Sequence, residues 1–228
     1  MASFSSLKRN IYKIYENTRK RIFYKQEREL QARLMFGTAT IDEWERAGRP
    51  VPPPAVYKHK VIKEYSRAFN LHYLIESGTF IGHTIDAVIS DFEIIDSIEI
   101  EQRLFSDANK KYNDKSHVRI LHGDSQYVLP HILKDKTQPA LYWLDGHYSW
   151  GVTGRGEKIT PIVGELKDIL PNYENDVILI DDARLFDGKR DYPLYDELCK
   201  LVHSFQPTLS IYCYNDIIRI HKGGELIV

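Results

Sequence analysis

The chain has few of the features that mark secreted, membrane or nucleic-acid-binding proteins. Its 228 residues include only two cysteines, Cys199 and Cys213, with no C-x-x-C spacing, which favours a reduced protein. No apolar run approaches the roughly 18 residues of a membrane span, and the N-terminus lacks the apolar centre of a signal peptide. The formal net charge of −1 does not favour nucleic acid as a partner. We therefore expect a cytoplasmic protein without a transmembrane segment.

Positive charge is nevertheless concentrated at one end. Residues 1–33 carry nine Lys or Arg and three Glu, a net charge of +6, which leaves −7 for the remainder. Residues 5–36 contain no Gly or Pro, and the apolar stripe Leu7, Ile11 and Ile14 predicts a helix. Two interpretations stay open: a helix that packs on the domain or on a second subunit, or a surface that contacts an anionic membrane or polymer. We favour a subunit contact and hence a homo-oligomer, with peripheral membrane contact through residues 1–36 as the alternative.

A break in the pattern predicts the domain boundary. Thr40-Ile-Asp-Glu43 has the form of a helix capping box, and Gly48, Pro50 and the three prolines at 52–54 then interrupt the chain. This predicts a helical extension with a Pro-rich linker over residues 1–54 and a catalytic domain over residues 55–228.

Strands and helices alternate through most of the second part. Short apolar runs predict strands at 73–75, 93–98, 118–121, 140–144 and 177–180, with helical patterns between them. Two of the predicted helices begin at Pro161, after Thr160 as the cap, and at Tyr192. Two further strands, 209–214 and 217–220, are separated by the tight-turn pair Asn215-Asp216. The pattern predicts an α/β fold: a seven-stranded, mostly parallel sheet with a C-terminal antiparallel hairpin and helices on both faces.

Acidic residues recur where the predicted parallel strands end. They are Glu76, Glu99, Asp124, Asp145 and the pair Asp181-Asp182. The carboxyl ends of strands in an open parallel sheet line one crevice, where ligands bind. Each acid alone could serve the following helix as a cap, but carboxylates buried together require a polar or cationic partner.

The segment Glu76-Ser-Gly-Thr-Phe-Ile-Gly82 follows the first strand with the spacing E-x-G-x-x-x-G. It resembles the first motif of class I S-adenosylmethionine-dependent methyltransferases, and the resemblance extends over about residues 56–228. It implies a Rossmann-like methyltransferase fold and S-adenosylmethionine as cofactor. Glu99 would accept the ribose hydroxyls, and Asp124 would lie near the adenine amino group. The residues that the resemblance assigns to the cofactor are Glu76, Gly78, Thr79, Gly82, Glu99, Asp124, Ser125 and Asp145.

Asp145 together with Asp181 and Asp182 resembles the metal triad of catechol-type and macrolide-sugar (macrocin) O-methyltransferases. Three carboxylates with open positions suit Mg²⁺. A bound cation would orient a substrate hydroxyl and lower its pKa. The alternative is that Asp182 caps a helix and Asp145 acts without a metal ion.

Candidate catalytic and substrate residues lie close to these acids in sequence. His147, two residues after Asp145, is the expected general base because its reference pKa is about 6.5. Tyr148 and Arg155, in a Gly-rich segment, are expected substrate contacts. Arg184 either binds the substrate or neutralises the acidic cluster.

The wider pattern L-D-G-H-Y-S…T-P-I…E-L…I-D-D-A-R resembles bacterial methyltransferases associated with surface polysaccharides and natural products. That resemblance implies O-methylation of a sugar or glycan hydroxyl, and thus a role in polysaccharide biosynthesis. Two alternatives stay open: a small phenolic or natural-product acceptor, and a cofactor-binding interaction module without catalysis.

Overall fold

The computed structural model describes residues 19–22, 24–30, 32–33, 38–146 and 160–227. The chain divides into two compact units, residues 1–57 and residues 58–228. In the first unit, helix α1 spans Ile41–Arg46. The Thr40 hydroxyl accepts from the Glu43 amide at 3.3 Å, and the Glu43 carboxylate accepts from the Thr40 amide at 2.9 Å. The predicted capping box is therefore confirmed.

The second unit is built on one seven-stranded sheet, which confirms the predicted fold class. Its strands are β1 (Tyr73–Ser77), β2 (Ile94–Glu99), β3 (Val118–His122), β4 (Leu141–Leu144), β5 (Val177–Ile180), β6 (Ser210–Tyr214) and β7 (Ile217–His221). They lie in the order β3-β2-β1-β4-β5-β7-β6. The first five strands pair with one another in parallel, whereas β7 runs antiparallel to both β5 and β6.

Helices connect the strands and pack around the sheet. They are α2 (Ala55–Phe69), α3 (His83–Val88), α4 (Gln102–Lys111), α5 (Ser125–Asp135), α6 (Ile162–Ile169) and α7 (Tyr195–Phe205). Two 3₁₀ turns, Leu170–Asn172 and Ala183–Leu185, complete the connections.

The core explains why β4 and β5 are apolar along their whole length and β1 over its first three residues. Tyr73 and Ile75 of β1 lie in one buried cluster with side chains of α5, α6 and α7, whereas Leu74 and Glu76 point to the opposite face and are equally buried. Strands covered on both faces have no solvated side, so they read as continuous apolar runs. The carboxyl ends of these strands are where polar side chains enter the interior.

Three predicted boundaries were wrong by a few residues. Strand β1 continues to Ser77, so Glu76 lies inside the strand and does not follow it. Helix α6 begins at Ile162, one residue after Pro161, because the Thr160 hydroxyl accepts from the Ile162 amide at 3.4 Å. Helix α7 begins at Tyr195, not Tyr192, because Leu194 pairs with Asp187 in an antiparallel bridge.

Across the described part of the chain, every helix is too short or too polar to cross a membrane.

Candidate active site

The strand order brings the predicted acidic residues to one edge of the sheet. Adjacent parallel strands β2, β1, β4 and β5 carry, at or just beyond their carboxyl ends, Glu99, Glu76, Asp145 and Asp181 respectively. Asp124 follows β3, the outermost strand on that side. This edge is the crevice in which ligands bind in open parallel sheets.

The turn after β1 touches the end of β4 through the backbone. Gly78 has φ +93°, and a Cβ there would lie 2.7 Å from the carbonyl oxygen of Asp145. The Asp145 amide in turn donates to the Ser77 carbonyl at 3.1 Å. Only glycine fits this contact, because a side chain would meet backbone and would also adopt a left-handed conformation.

Glu76 is held by a short chain of hydroxyl groups. The Ser97 hydroxyl donates to the Glu76 carboxylate at 2.5 Å, and the Thr79 hydroxyl lies 2.6 Å from that of Ser97. Burial raises the pKa of Glu76 to about 8, although the hydrogen bond from Ser97 acts in the opposite direction. A carboxyl group with this pKa is mostly protonated at neutral pH and can donate a hydrogen bond.

Glu99 holds the turn that surrounds it. One carboxylate oxygen accepts from the Phe80 amide at 2.8 Å, and the other accepts from the Glu101 amide at 2.9 Å. Burial raises the pKa of Glu99, while these two backbone bonds lower it. Each carboxylate oxygen has capacity for a second hydrogen bond, so both remain able to accept from a ligand.

Gly82 is required by a protein contact. It begins α3 with φ +79°, and a Cβ there would meet the Tyr112 hydroxyl at 2.2 Å. That hydroxyl lies 2.8 Å from the Gly82 carbonyl and 2.8 Å from the Asp86 carboxylate. Gly78 and Gly82, the two glycines of the motif, are therefore both required by close contacts within the domain.

Asp124 caps the helix that follows it. Its carboxylate accepts from the Gln126 amide at 3.0 Å at the start of α5. Ser125, the first residue of that helix, is buried. Asp124 therefore caps this helix, which is the first of the two roles considered for the acids at the strand ends.

A lysine absent from our candidate residues lies among the acids of β4 and β5. The Lys58 ammonium contacts the Asp181 carboxylate and lies 4.0 Å from that of Asp182. Burial alone would lower the pKa of Lys58, but attraction to Asp181, Asp145 and Asp182 outweighs it and raises the pKa. Burial and the negative charge of Asp145 raise the pKa of Asp181, and Lys58 opposes that rise.

Arg184 neutralises acids at this edge, one of its two predicted roles. Its guanidinium donates to the Asp182 carboxylate at 2.8 Å and also contacts Asp216, while its backbone amide donates to Asp216 at 2.8 Å. The side chain remains 34% exposed.

The structure does not support the predicted Mg²⁺ site. Within the described residues, no group of three His, Cys, Asp or Glu side chains is placed to hold a metal ion. Asp181 instead faces the ammonium of Lys58, and Asp182 faces the guanidinium of Arg184. Two protein cations already meet carboxylates that a metal ion would need as ligands.

Glu165 is a second site residue that we did not predict. It lies on α6, is completely buried and lines a small cavity with Asp145, Thr160, Asp181 and Tyr192. Among the described residues, neither carboxylate oxygen of Glu165 has a hydrogen-bond partner. Burial raises the pKa of Glu165 to about 7, and the nearby hydroxyls of Ser125 and Ser77 offset part of the rise without forming hydrogen bonds.

Three candidates, His147, Tyr148 and Arg155, lie outside the described residues. Their roles as general base and substrate contacts therefore stay predictions.

Comparison with known proteins supports the fold. No family model matches the chain, and no curated protein matches it. An O-methyltransferase from Bacillus cereus in complex with SAH is 13% identical over 85% of this chain and 90% of its own, with a TM-score of 0.55. The chain has the methyltransferase fold.

Two further structures share this fold. An SAH-bound methyltransferase from Podospora anserina is 14% identical over 92% of this chain and 97% of its own, with a TM-score of 0.50. An O-methyltransferase from Streptomyces achromogenes involved in tomaymycin synthesis, in complex with SAM, is 15% identical over 73% of this chain and 80% of its own, with a TM-score of 0.50. The likeness to the methyltransferases is one of fold.

Proposed function

We propose that residues 55–228 form an S-adenosylmethionine-dependent O-methyltransferase domain that acts on a hydroxyl group of a sugar or glycan. The observation that carries the proposal is the set of acidic side chains at the ends of β2, β1, β4 and β5, next to the turn at Gly78. Solved proteins of this fold hold SAM or SAH.

The residues at the sheet edge suit this cofactor. The Ser77 hydroxyl and both oxygens of Glu165 are buried and have no hydrogen-bond partner in the part of the chain that the structure describes, as expected of polar groups that face a ligand. Glu99 would accept from the ribose hydroxyls, the turn from Gly78 to Gly82 would hold the amino acid portion, and Asp124 would lie near the adenine. The cofactor supplies a methyl group on a positively charged sulfur.

The chain's own residues would prepare the acceptor hydroxyl. We assign the general base to His147, which follows β4 by three residues. Asp145 would orient the acceptor or the base, since its backbone is fixed against Gly78. The proposed mechanism uses no metal ion, because Lys58 and Arg184 already contact the two carboxylates that follow β5.

Cofactor binding can be tested through Glu99. Replacing it with Ala removes a charged acceptor from a largely desolvated site and should weaken SAH binding by about 2–4 kcal/mol in calorimetry. Glu101→Ala is the matched control. It removes the same charge two residues away, where the Glu101 carboxylate caps α4 by accepting from the Leu104 amide at 2.8 Å. Equal SAH affinity in the Glu99→Ala variant and the wild type would refute the ribose assignment.

The acceptor class requires a transfer assay. The protein, supplied with methyl-labelled cofactor, should label hydroxyl groups of sugars or surface glycans in preference to catechols. Preferential labelling of a catechol would replace the sugar with the phenolic alternative. Tight SAH binding with no transfer to either class would favour the interaction module.

A further inference from the structure

Helix α2 carries a charged residue on its buried side. Val61, Ile62 and Tyr65 are fully buried. Lys58 precedes them by three, four and seven residues, the spacing that places side chains on one face of a helix. Ser66, one residue after Tyr65, is buried as well. Lys58 therefore places a cation on the mostly apolar face with which the helix packs.

The Lys58 side chain ends at the two acids that follow strand β5. It contacts the carboxylate of Asp181, lies 4.0 Å from that of Asp182 and is only 20% exposed. The carboxylate side chain of Asp181 is 1% exposed and that of Asp182 is 9% exposed. Buried carboxylates this close together need a positive partner, because their mutual repulsion is poorly screened away from water.

We propose that Lys58 is the resident cation of this site and takes the place among Asp145, Asp181 and Asp182 that a divalent ion would otherwise occupy. The proposal explains why these three residues resemble a metal triad in sequence and yet form no metal site among the described residues. Mg²⁺ needs oxygen ligands at about 2.0–2.1 Å in octahedral geometry, and an ammonium in contact with Asp181 excludes it electrostatically and sterically.

The Lys58 ammonium also supplies the site with hydrogen-bond donors, and the helix that carries Lys58 fixes their position. An ammonium has three N–H donors, and Asp181 accepts one of them. If the proposed function holds, a hydroxyl or other oxygen of the acceptor is the ligand that the Lys58 ammonium would orient. The charge site itself can be tested without any acceptor or cofactor.

The test measures Mn²⁺ binding to the full-length protein by electron paramagnetic resonance. The wild type should bind Mn²⁺ no more tightly than the Asp181→Asn variant does. Lys58→Met removes the ammonium but keeps the length of the side chain, and should increase Mn²⁺ affinity about tenfold or more. Lys60→Met is the matched control: it makes the same change on the same helix at an exposed position, where Lys60 pairs with Glu64 at 3.6 Å. It should leave Mn²⁺ binding as in the wild type.

The wild type alone can overturn the proposal, even if Lys58→Met does not fold. Tight Mn²⁺ binding by the wild type that is lost in Asp181→Asn would show that the site takes a divalent ion with Lys58 present. A folded Lys58→Met variant that gains no Mn²⁺ affinity would also overturn it. Calorimetry with SAH on the same samples reports on the proposed function separately, so the two can fail independently.

Discussion

The contact between Gly78 and the Asp145 carbonyl makes one residue decisive for the geometry of the site. Gly78→Ala combines a left-handed backbone with a Cβ that would lie 2.7 Å from a carbonyl oxygen. We expect the free energy of unfolding to fall by about 1–3 kcal/mol, with a parallel loss of SAH affinity. Chemical denaturation and calorimetry measure the two effects.

Gly223→Ala is the control for that substitution. Gly223 has φ +97°, but a Cβ there would meet no atom of the described residues within 4 Å. It therefore carries the backbone cost without the steric contact. Equal destabilisation by both variants would mean that the close approach to Asp145 has no energetic importance.

Glu165 should make stability depend on pH. Its pKa is about 7 in the folded protein against 4.5 as reference, so the folded state binds a proton more tightly than the unfolded state. The stabilisation from this proton is complete below pH 4.5 and is lost as pH rises through 7. Glu165→Gln cannot titrate. The wild type should lose up to about 3 kcal/mol relative to this variant over that range.

Urea denaturation at several pH values measures that difference. If the free energies of unfolding of wild type and Glu165→Gln run parallel across the range, Glu165 binds its proton equally well in both states. The Glu165 carboxyl group, which has no hydrogen-bond partner among the described residues, would then have a partner in the folded protein.

At the scale of elements, substitutions of Asp124 can distinguish its role as a helix cap from its proposed role beside the adenine of the cofactor. Asp124→Ala removes the acceptor for the Gln126 amide and should lower the free energy of unfolding by about 1 kcal/mol. Asp124→Asn keeps a good capping side chain and should cost only a few tenths of that. Thermal melts report the cap and calorimetry with SAH reports the ligand. If the Asn variant binds SAH as tightly as the wild type does, the Asp124 carboxylate is not needed to bind the adenine.

The central strands were predictable from the sequence because β1, β4 and β5 are buried on both faces. Each predicted strand agrees with the structure to within two residues at either end. Periodicity could not place the exact ends, which depend on local contacts such as the bridge between Asp187 and Leu194. The edge at which Glu76, Glu99 and Asp145 meet followed from the parallel order of the strands.

Lys58 and Glu165 were missed for different physical reasons. Lys58 is 123 residues from Asp181 along the chain, so no local pattern connects the two, and α2 contains other lysines besides it. Its place on the apolar face, three residues before Val61, was the available signal. Glu165 stands in the first turn of α6, where an acid is ordinarily explained by the helix dipole. Its complete burial is a tertiary property that no local pattern expresses.

At the scale of the whole molecule, the basic segment predicts association. Residues 1–33 carry +6 and the rest of the chain −7, so a salt-sensitive contact between subunits is expected. Deleting residues 1–36 should leave SAH affinity unchanged and lower the assembly state. Light scattering at low and high salt measures the mass. A full-length protein with the mass of one subunit would refute the homo-oligomer, and sedimentation with anionic vesicles would then test the membrane alternative.

The central position of β1 has a consequence for synthesis on the ribosome. Strand β1 is the first strand to be synthesised. It pairs with β2 on one side, but its neighbour on the other side, β4, begins only at Leu141. A nascent chain that has reached His122 can form β3-β2-β1, yet it leaves unpaired one backbone edge of β1, a strand whose five residues are all buried in the finished fold. Until β4 emerges, this edge is open to association with other chains, and chaperones that bind extended apolar segments would find it there.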